Sequence, residues 1–565
     1  MLEDLDKITY FATTNSRGKE TPFGIKKRDR ERHMYVIGKT GMGKSTLLEN
    51  LAIQDIRNGE GMAFIDPHGS SADRIMEYIP EHRVKDVVYF APFDMEHPVA
   101  FNVMEDVGYD KRHLVVSGLL SAFRKIWVDA WSARMEYILS NVLLALLEYP
   151  DSTLLDVNRM LVNKAFRKKV VEKITDPTVK SFWVEEFANY TDRYTAEATP
   201  AIQNKVGQFT SNPLIRNIVG QPKSSFDLRK MMDERKIIII NLSKGRVGEV
   251  NANLLGSMIV TKIYLAAMSR ADVPAATLNA LPRFYFYVDE FQSFANQTFA
   301  DILSEARKYK LNLIIAHQYI EQMEEEVRDA VFGNVGTTIS FRVGPFDAEV
   351  LETIYSPVFL ATDLVNLGFA QIYLTLMING VGSPPFSATT LPPFDPPPHS
   401  FVEQTLANSR RVYGRPRAEV EELIKKWQEG DPYVVEPPKK KDYSKSASTA
   451  PKPAYIAPRA PIPASVVTPP PSAPPVPPRP RPVPYVPPKV PERPPLAGSK
   501  SLREALEQAT GKKVETTPIH ARDLKETLHT VAPKAQAPAR EAEELPEDVI
   551  RSMLAVDETD DDRKH

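Results

Sequence analysis

Residues 34–59 read MYVIGKTGMGKSTLLENLAIQDIRNG, and the organisation of the chain follows from this stretch. Met34–Ile37 is a short apolar run, Gly38–Thr46 is a glycine-rich turn, and Leu47, Leu48, Leu51, Ala52 and Ile56 recur at helical spacing. Asn58-Gly59 then supplies a left-handed helix stop. Strand, glycine-rich turn and helix is the setting in which GxxxxGK[ST] acts as a phosphate-binding loop rather than as a chance glycine-lysine turn. Gly38, Gly41 and Gly43 let backbone N–H groups converge on phosphate oxygens with no Cβ in the way. Lys44 reaches the β- and γ-phosphates, Ser45 offers a hydroxyl to Mg²⁺, and the helix N-terminus favours the anion. The whole run, Gly38, Lys39, Thr40, Gly41, Met42, Gly43, Lys44, Ser45 and Thr46, is therefore assigned to binding a nucleoside triphosphate.

Working outward, a second strand at Met62–Ile65 closes a βαβ unit at Asp66-Pro67-His68-Gly69-Ser70. A helix over Ala72–Ile79 and a third strand over Val87–Phe90 follow. Alternating strands and helices predict a parallel α/β sheet with ligands at the carboxyl ends of its strands. Asp66 and His68 stand at such an end, on the rim of the phosphate loop. From about residue 105 to 230 the apolar spacing turns helical, as in Leu139, Val142, Leu143 and Leu146, so an all-α insertion interrupts the α/β pattern. Trp127, Trp131 and Trp183 within it read as packing residues rather than base-stacking platforms.

The α/β pattern resumes at Lys236–Asn241, followed by a long helix over Gly248–Met268. In Arg283–Asn296, RFYFYVDEFQSFAN, five apolar residues deliver Asp289-Glu290 to a strand end. This is a Walker B pattern, with Asp289 holding Mg²⁺ through water and Glu290 polarising the attacking water. A helix over Phe299–Tyr309 and a strand over Leu313–Ala316 lead to His317-Gln318, where Gln318 can touch the γ-phosphate and report its presence. Arg307, near the end of that helix, reads as a surface charge favoured by the helix dipole or as an arginine finger for a neighbouring subunit's phosphate. Arg342, on a further strand over Thr337–Val343, is the weaker candidate for that task.

Composition bounds the rest. At 565 residues the chain is longer than one ordinary domain. It has no cysteine, which excludes disulfides and thiolate metal sites and fits a reducing cytoplasm. No secretory signal and no transmembrane helix are read from the apolar runs. A net charge of -2 supplies no global basic field, so contact with nucleic acid must come from local patches or a pore. The charged run Lys26–His33 reads as a solvated lead-in, within residues 1–33, rather than as a DNA contact.

GKTGMGKST, the IDPHG turn, VDEFQ, EARKY and IIAHQ, in that order and with a helical insertion, resemble the HerA/FtsK superfamily of ring ATPases. The nearest members are the TraG/TraD-like coupling proteins of type IV secretion and conjugation and the HerA-type helicases, and the resemblance spans roughly residues 20–395. It implies a RecA-like P-loop NTPase core (34–105 and 231–395) around the insertion (106–230). ATP and Mg²⁺ are the implied cofactors, a homo-oligomer, a hexameric ring, the implied assembly, and DNA passing through its pore the implied partner. By resemblance Lys44 and Ser45 bind phosphate and metal, Asp289 the metal, Glu290 the water, and Gln318 is the sensor. Arg307 matches a finger used across subunit interfaces, and Asp66 and His68 match a signature near the nucleotide. Coupling proteins usually begin with transmembrane helices, whereas this sequence begins directly before the core. A cytoplasmic protein recruited to the inner face of the membrane is therefore expected. Two other activities fit the same motifs: a HerA-like helicase working with a repair nuclease, and an assembly ATPase that moves no DNA.

After about Pro392 regular signals fade, apart from a short helix over Arg417–Trp427 in a 396–430 extension. Pro437–Pro495 holds 22 of the 49 prolines, a composition that cannot bury a core, and residues 431–565 are read as a disordered tail. Lys439–Lys500 carries eleven Lys/Arg against Asp442 and Glu492, which suits phosphates or anionic lipid as well as a solubilising linker. Apolar islands at Ser501–Ala509, His520–Leu528 and Leu545–Val556 are read as docking helices for protein partners of a secretion or transfer machine.

Overall fold

The structure is a computed structural model that describes residues 4–15, 20–295 and 297–429. The proline-rich tail and its apolar islands lie outside the described residues. The strands, in chain order, are β1 (Ile8–Thr14), β2 (Pro22–Lys26), β3 (Met34–Ile37), β4 (Gly61–Asp66), β5 (Val87–Phe90), β6 (Ile237–Asn241) and β7 (Phe284–Val288). They continue with β8 (Leu311–His317), β9 (Thr337–Ser340), β10 (Gln371–Thr375), β11 (Met377–Ile378), β12 (Val381–Gly382) and β13 (Phe386–Thr390). All but the β11–β12 hairpin join one eleven-stranded sheet in the order β2-β1-β13-β10-β9-β3-β8-β7-β4-β6-β5.

From β9 to β5 every pairing is parallel, as the alternating pattern predicts. The register sets Ile37 beside His317 and Ser340, so the phosphate loop and the ends of β8 and β9 open on one rim. The other end of the sheet is antiparallel, an extension that carried no α/β signature in the sequence. β7 displays the two faces: Phe284, Phe286 and Val288 enter one apolar core, Tyr285 and Tyr287 the other. The phosphate-loop helix, Lys44–Arg57, packs on the tyrosine face.

Between β5 and β6 all regular elements among the described residues are helical, from Tyr109 to Asp233. They share the phenylalanine-side core with β7, through residues such as Val115, Leu119 and Phe123. Trp127 and Trp183 are buried and Trp131 packs against the same core, as expected for packing residues. The span Glu249–Asp272, which includes the helix Glu249–Met268, is long and apolar enough by composition to cross a membrane, and 72% of its most apolar 18-residue window is buried inside the fold. A helix buried over most of its surface is apolar over most of it, which accounts for its composition.

Two expectations need correction. The run Lys26–His33 is no solvated lead-in: Lys27, Asp29, Arg30 and His33 are all buried. β1 and β2 form a hairpin within the main sheet, and Lys27 pairs with Glu60. Asp29 accepts the backbone N–H groups of Asn379 and Gly380, at 2.9 and 2.8 Å. Arg30 forms a two-pronged pair with Asp55 of the phosphate-loop helix, at 2.6 and 2.8 Å. It also donates to the Tyr287 hydroxyl at 2.8 Å and lies 3.8 Å from the Tyr285 ring centroid. Charge-run reasoning assumes solvent, and it fails where each charge has a buried partner. The second correction concerns residues 396–430, which hold two helices, Val402–Tyr413 and Arg417–Glu429. The first is anchored to β5 by the Tyr89 N–H on Ser409 Oγ at 2.9 Å.

Replacing Arg30 with Met is expected to cost about 3–5 kcal/mol of stability, because the Asp55 carboxylate is left buried without its cation. Urea unfolding of the two proteins checks this; a difference below about 1 kcal/mol would mean that the pair is no stronger than a surface ion pair.

Candidate active site

Gly38 follows β3, and a Cβ built there would lie 2.5 Å from Phe341 Cβ, so the loop needs glycine to lie against the end of β9. The Gly38 and Lys39 N–H groups bond to the carbonyls of His317 and Arg342, at 3.3 and 2.8 Å. Gly41 (φ +77°) and Gly43 (φ +114°) take the left-handed backbone that other residues rarely adopt, and a Cβ at Gly41 would meet only open space. Met42 accepts the Ala370 N–H at 3.3 Å, Lys44 opens the helix, and Ser45 and Thr46 complete its first turn. A concave loop on a helix N-terminus results.

Lys44 is buried, with Nζ donating to the carbonyls of Gly38 and Lys39 at 2.5 and 3.2 Å. Burial lowers its pKa, opposed by the charges of Glu290 and Asp289. The ammonium is thus folded back on its own loop. Ser45 Oγ donates to Asp289 Oδ2 at 3.1 Å. Burial first, then the charges of Glu290 and Asp66, pushes the Asp289 carboxyl up to about 6.

A hydroxyl and a carboxylate short of positive charge, beside a phosphate loop, fit a Mg²⁺ that arrives with nucleotide. Mg²⁺ is commonly held by one or two carboxylates plus phosphates and water. Among the described residues no group of three His, Cys, Asp or Glu makes a metal site by itself.

Glu290 has φ 48° and ψ 51°, a left-handed conformation that costs a non-glycine residue about 1–3 kcal/mol and is typical of functional sites. Its carboxylate is a hub. Gln318 Nε2 donates to Oε1, Gln292 Nε2 donates to Oε2 at 2.5 Å, and His68 Nε2 stands 3.9 Å from Oε1. Burial raises its pKa, but the nearby His68 imidazole, the hydrogen bonds from Gln318 and Gln292 and the charge of Lys44 outweigh that and hold it at about 2. Gln318 Oε1 in turn accepts from Thr40 Oγ1 at 2.9 Å, so one amide spans the phosphate loop and the Walker B carboxylate.

The other assigned residues divide. His68 is drawn into the hub. Asp66 is buried, and its oxygens accept the backbone N–H groups of His68 and Ala72 at 2.7 and 3.0 Å, so it shapes the turn that presents His68. Arg342 sits just past β9 on the rim. Arg307 lies in the turn Ala306–Tyr309 ahead of β8, exposed. Since β8 rises about 3.3 Å per residue, Arg307 is roughly 20 Å from the rim of its own loop.

Gln292 closes the VDEFQ run, and nothing in that motif separates it from a turn residue. The anchors of the loop it belongs to, Lys125 and Lys244, left no signal at all. Lys244 donates to Ser293 Oγ at 2.9 Å.

A family model described as the type IV secretion-system coupling protein DNA-binding domain matches residues 21–350. Among solved structures, the plasmid coupling protein TrwB in complex with ADP and Mg²⁺ resembles 70% of this chain and 98% of its own, at 15% identity and a TM-score of 0.50. VirB4 of Thermoanaerobacter pseudethanolicus covers 71% of this chain and 99% of its own, at 12% identity and a TM-score of 0.47. No curated protein matches the chain. The TrwB likeness, at this identity, concerns the fold.

Proposed function

Since this chain belongs to the family of type IV secretion-system coupling protein DNA-binding domains, we propose that it is an ATP-hydrolysing motor that assembles into a ring and moves DNA. The observation that carries the reading is the Gln318 bridge. The residue that can sense the γ-phosphate is bonded at once to Thr40 of the phosphate loop and to Glu290.

Lys44 exchanges its loop carbonyls for the β- and γ-phosphates as ATP binds. Glu290, ionised at neutral pH, orients a water and accepts its proton as the oxygen attacks the γ-phosphorus and the bond to the β-bridging oxygen breaks, releasing ADP and phosphate. Ser45 and Asp289 are the residues that would hold Mg²⁺, which when bound would supply positive charge to the phosphates. Gln318 registers the loss of the γ-phosphate. Arg307, too far from its own loop, is assigned to a neighbouring subunit's phosphate.

The division into ATPase core (34–105 and 231–395), helical insertion (106–230), extension (396–430) and tail belongs to the same proposal. So do partner docking through the tail and recruitment to the inner face of the membrane. Adding DNA is expected to raise the rate of ATP hydrolysis and, with nucleotide present, to shift the protein to a hexameric species in sizing experiments. A flat rate with and without DNA would remove the translocase reading and leave an assembly ATPase.

A further inference from the structure

The loop that follows Walker B, Glu290–Ala295, is gripped by the helical insertion. Lys125, near the end of the helix Arg112–Ile126, donates Nζ to the Gln292 carbonyl at 2.5 Å and to the Ala295 carbonyl. Gln292 in turn donates its side-chain amide to Glu290 Oε2. The other end of that amide, Oε1, is buried without a partner among the described residues. The side chain is therefore not placed to satisfy itself; its one polar contact is the Glu290 carboxylate.

The surroundings make the grip stiff. A Cβ at Gly118 would lie 2.3 Å from Thr261 Cγ2, so the insertion helix is pressed against the helix Glu249–Met268. A Cβ at Gly256 would lie 2.3 Å from the Phe294 ring, so the loop is pressed against that same helix. Burial lowers the Lys125 ammonium to about 8, against the pull of the Glu324 charge. It therefore still carries its proton at neutral pH.

We infer that Lys125 and Gln292 are positioning residues that let the helical insertion set the place of the Glu290 carboxylate. Lys125 fixes the main chain of Gln292, and the Gln292 amide fixes Glu290. Whatever displaces the insertion helix is transmitted to the group that orients the attacking water, which gives the insertion control over turnover. The inference rests on the hydrolytic reading of Glu290.

The test uses the full chain. Lys125→Met and Gln292→Ala are each expected to lower kcat about 10- to 100-fold, the scale expected of a misplaced catalytic group. ADP affinity and the KM for ATP should not change. The double variant should be no slower than the worse single one, because both changes cut the same chain of contacts. Lys125→Arg, which keeps donors at that position, should recover most of the loss. A wild-type kcat in either single variant, or losses that multiply in the double, would overturn the relay. If circular dichroism finds Lys125→Met unfolded, Gln292→Ala decides alone, since it leaves the main chain intact. Should Glu290→Gln itself turn over normally, the hydrolytic reading fails. Should Glu290→Gln be inactive while Gln292→Ala is not slowed, the relay alone fails.

Discussion

A Glu290→Gln protein is expected to bind ATP as tightly as the wild type and to hydrolyse it about 10²–10⁴-fold more slowly, the contribution usual for a positioned proton acceptor. The substitution keeps the size of the side chain and the backbone at φ 48°. It removes the charge on which Gln318, Gln292 and His68 converge. Lys44 and Ser45 are untouched, so the phosphate loop stays competent. Fluorescent-nucleotide binding and phosphate release, measured on the same preparation, separate the two effects. A turnover near that of the wild type would reassign Glu290 to holding the loop in shape.

Arg307→Ala is expected to slow ATP hydrolysis about 10³–10⁵-fold, the range seen when an arginine finger is absent, with nucleotide affinity retained. The side chain stands at the opposite end of β8 from the phosphate loop, and its guanidinium makes no ion pair or hydrogen bond among the described residues. Within its own subunit it has no phosphate to meet. Mixing supplies the sharper measurement. An Arg307→Ala subunit has an intact site, and a Glu290→Gln neighbour has an intact Arg307, so mixed rings should regain part of the activity that each protein lacks alone. Mixtures no more active than their components would assign Arg307 to the surface.

The parallel half of the sheet was legible because each strand is short, apolar and followed by a helix, and because residues at strand ends share a rim by construction. Asp289, Glu290 and Gln318 could be aligned with Gly38–Thr46 from order and spacing alone. The antiparallel half was not legible. β10 and β13 are partly exposed, mixed in composition and joined by a small hairpin, so no period stands out. The run Lys26–His33 was misread because the partners that justify burial of Arg30 lie 25 and 257 residues further along. Asp66 was expected near nucleotide, and its carboxylate is taken up by two backbone N–H groups, a local bond that a motif does not reveal. Lys125 was invisible for a related reason. A lysine near a helix end reads as solvated unless the chain it will meet, here more than 160 residues away, is known to be there.

The buried cluster of Arg30, Asp55, Tyr285 and Tyr287 bears on where the motor can flex. It rivets the far end of the phosphate-loop helix to the strand that carries Walker B, so the two halves of the ATP site share one stiff chassis. Neither can slide past the other without exposing a charge to apolar surroundings. Any adjustment of Glu290 would then have to come through the short segment after it, which Lys125 ties to the insertion helix rather than to the sheet.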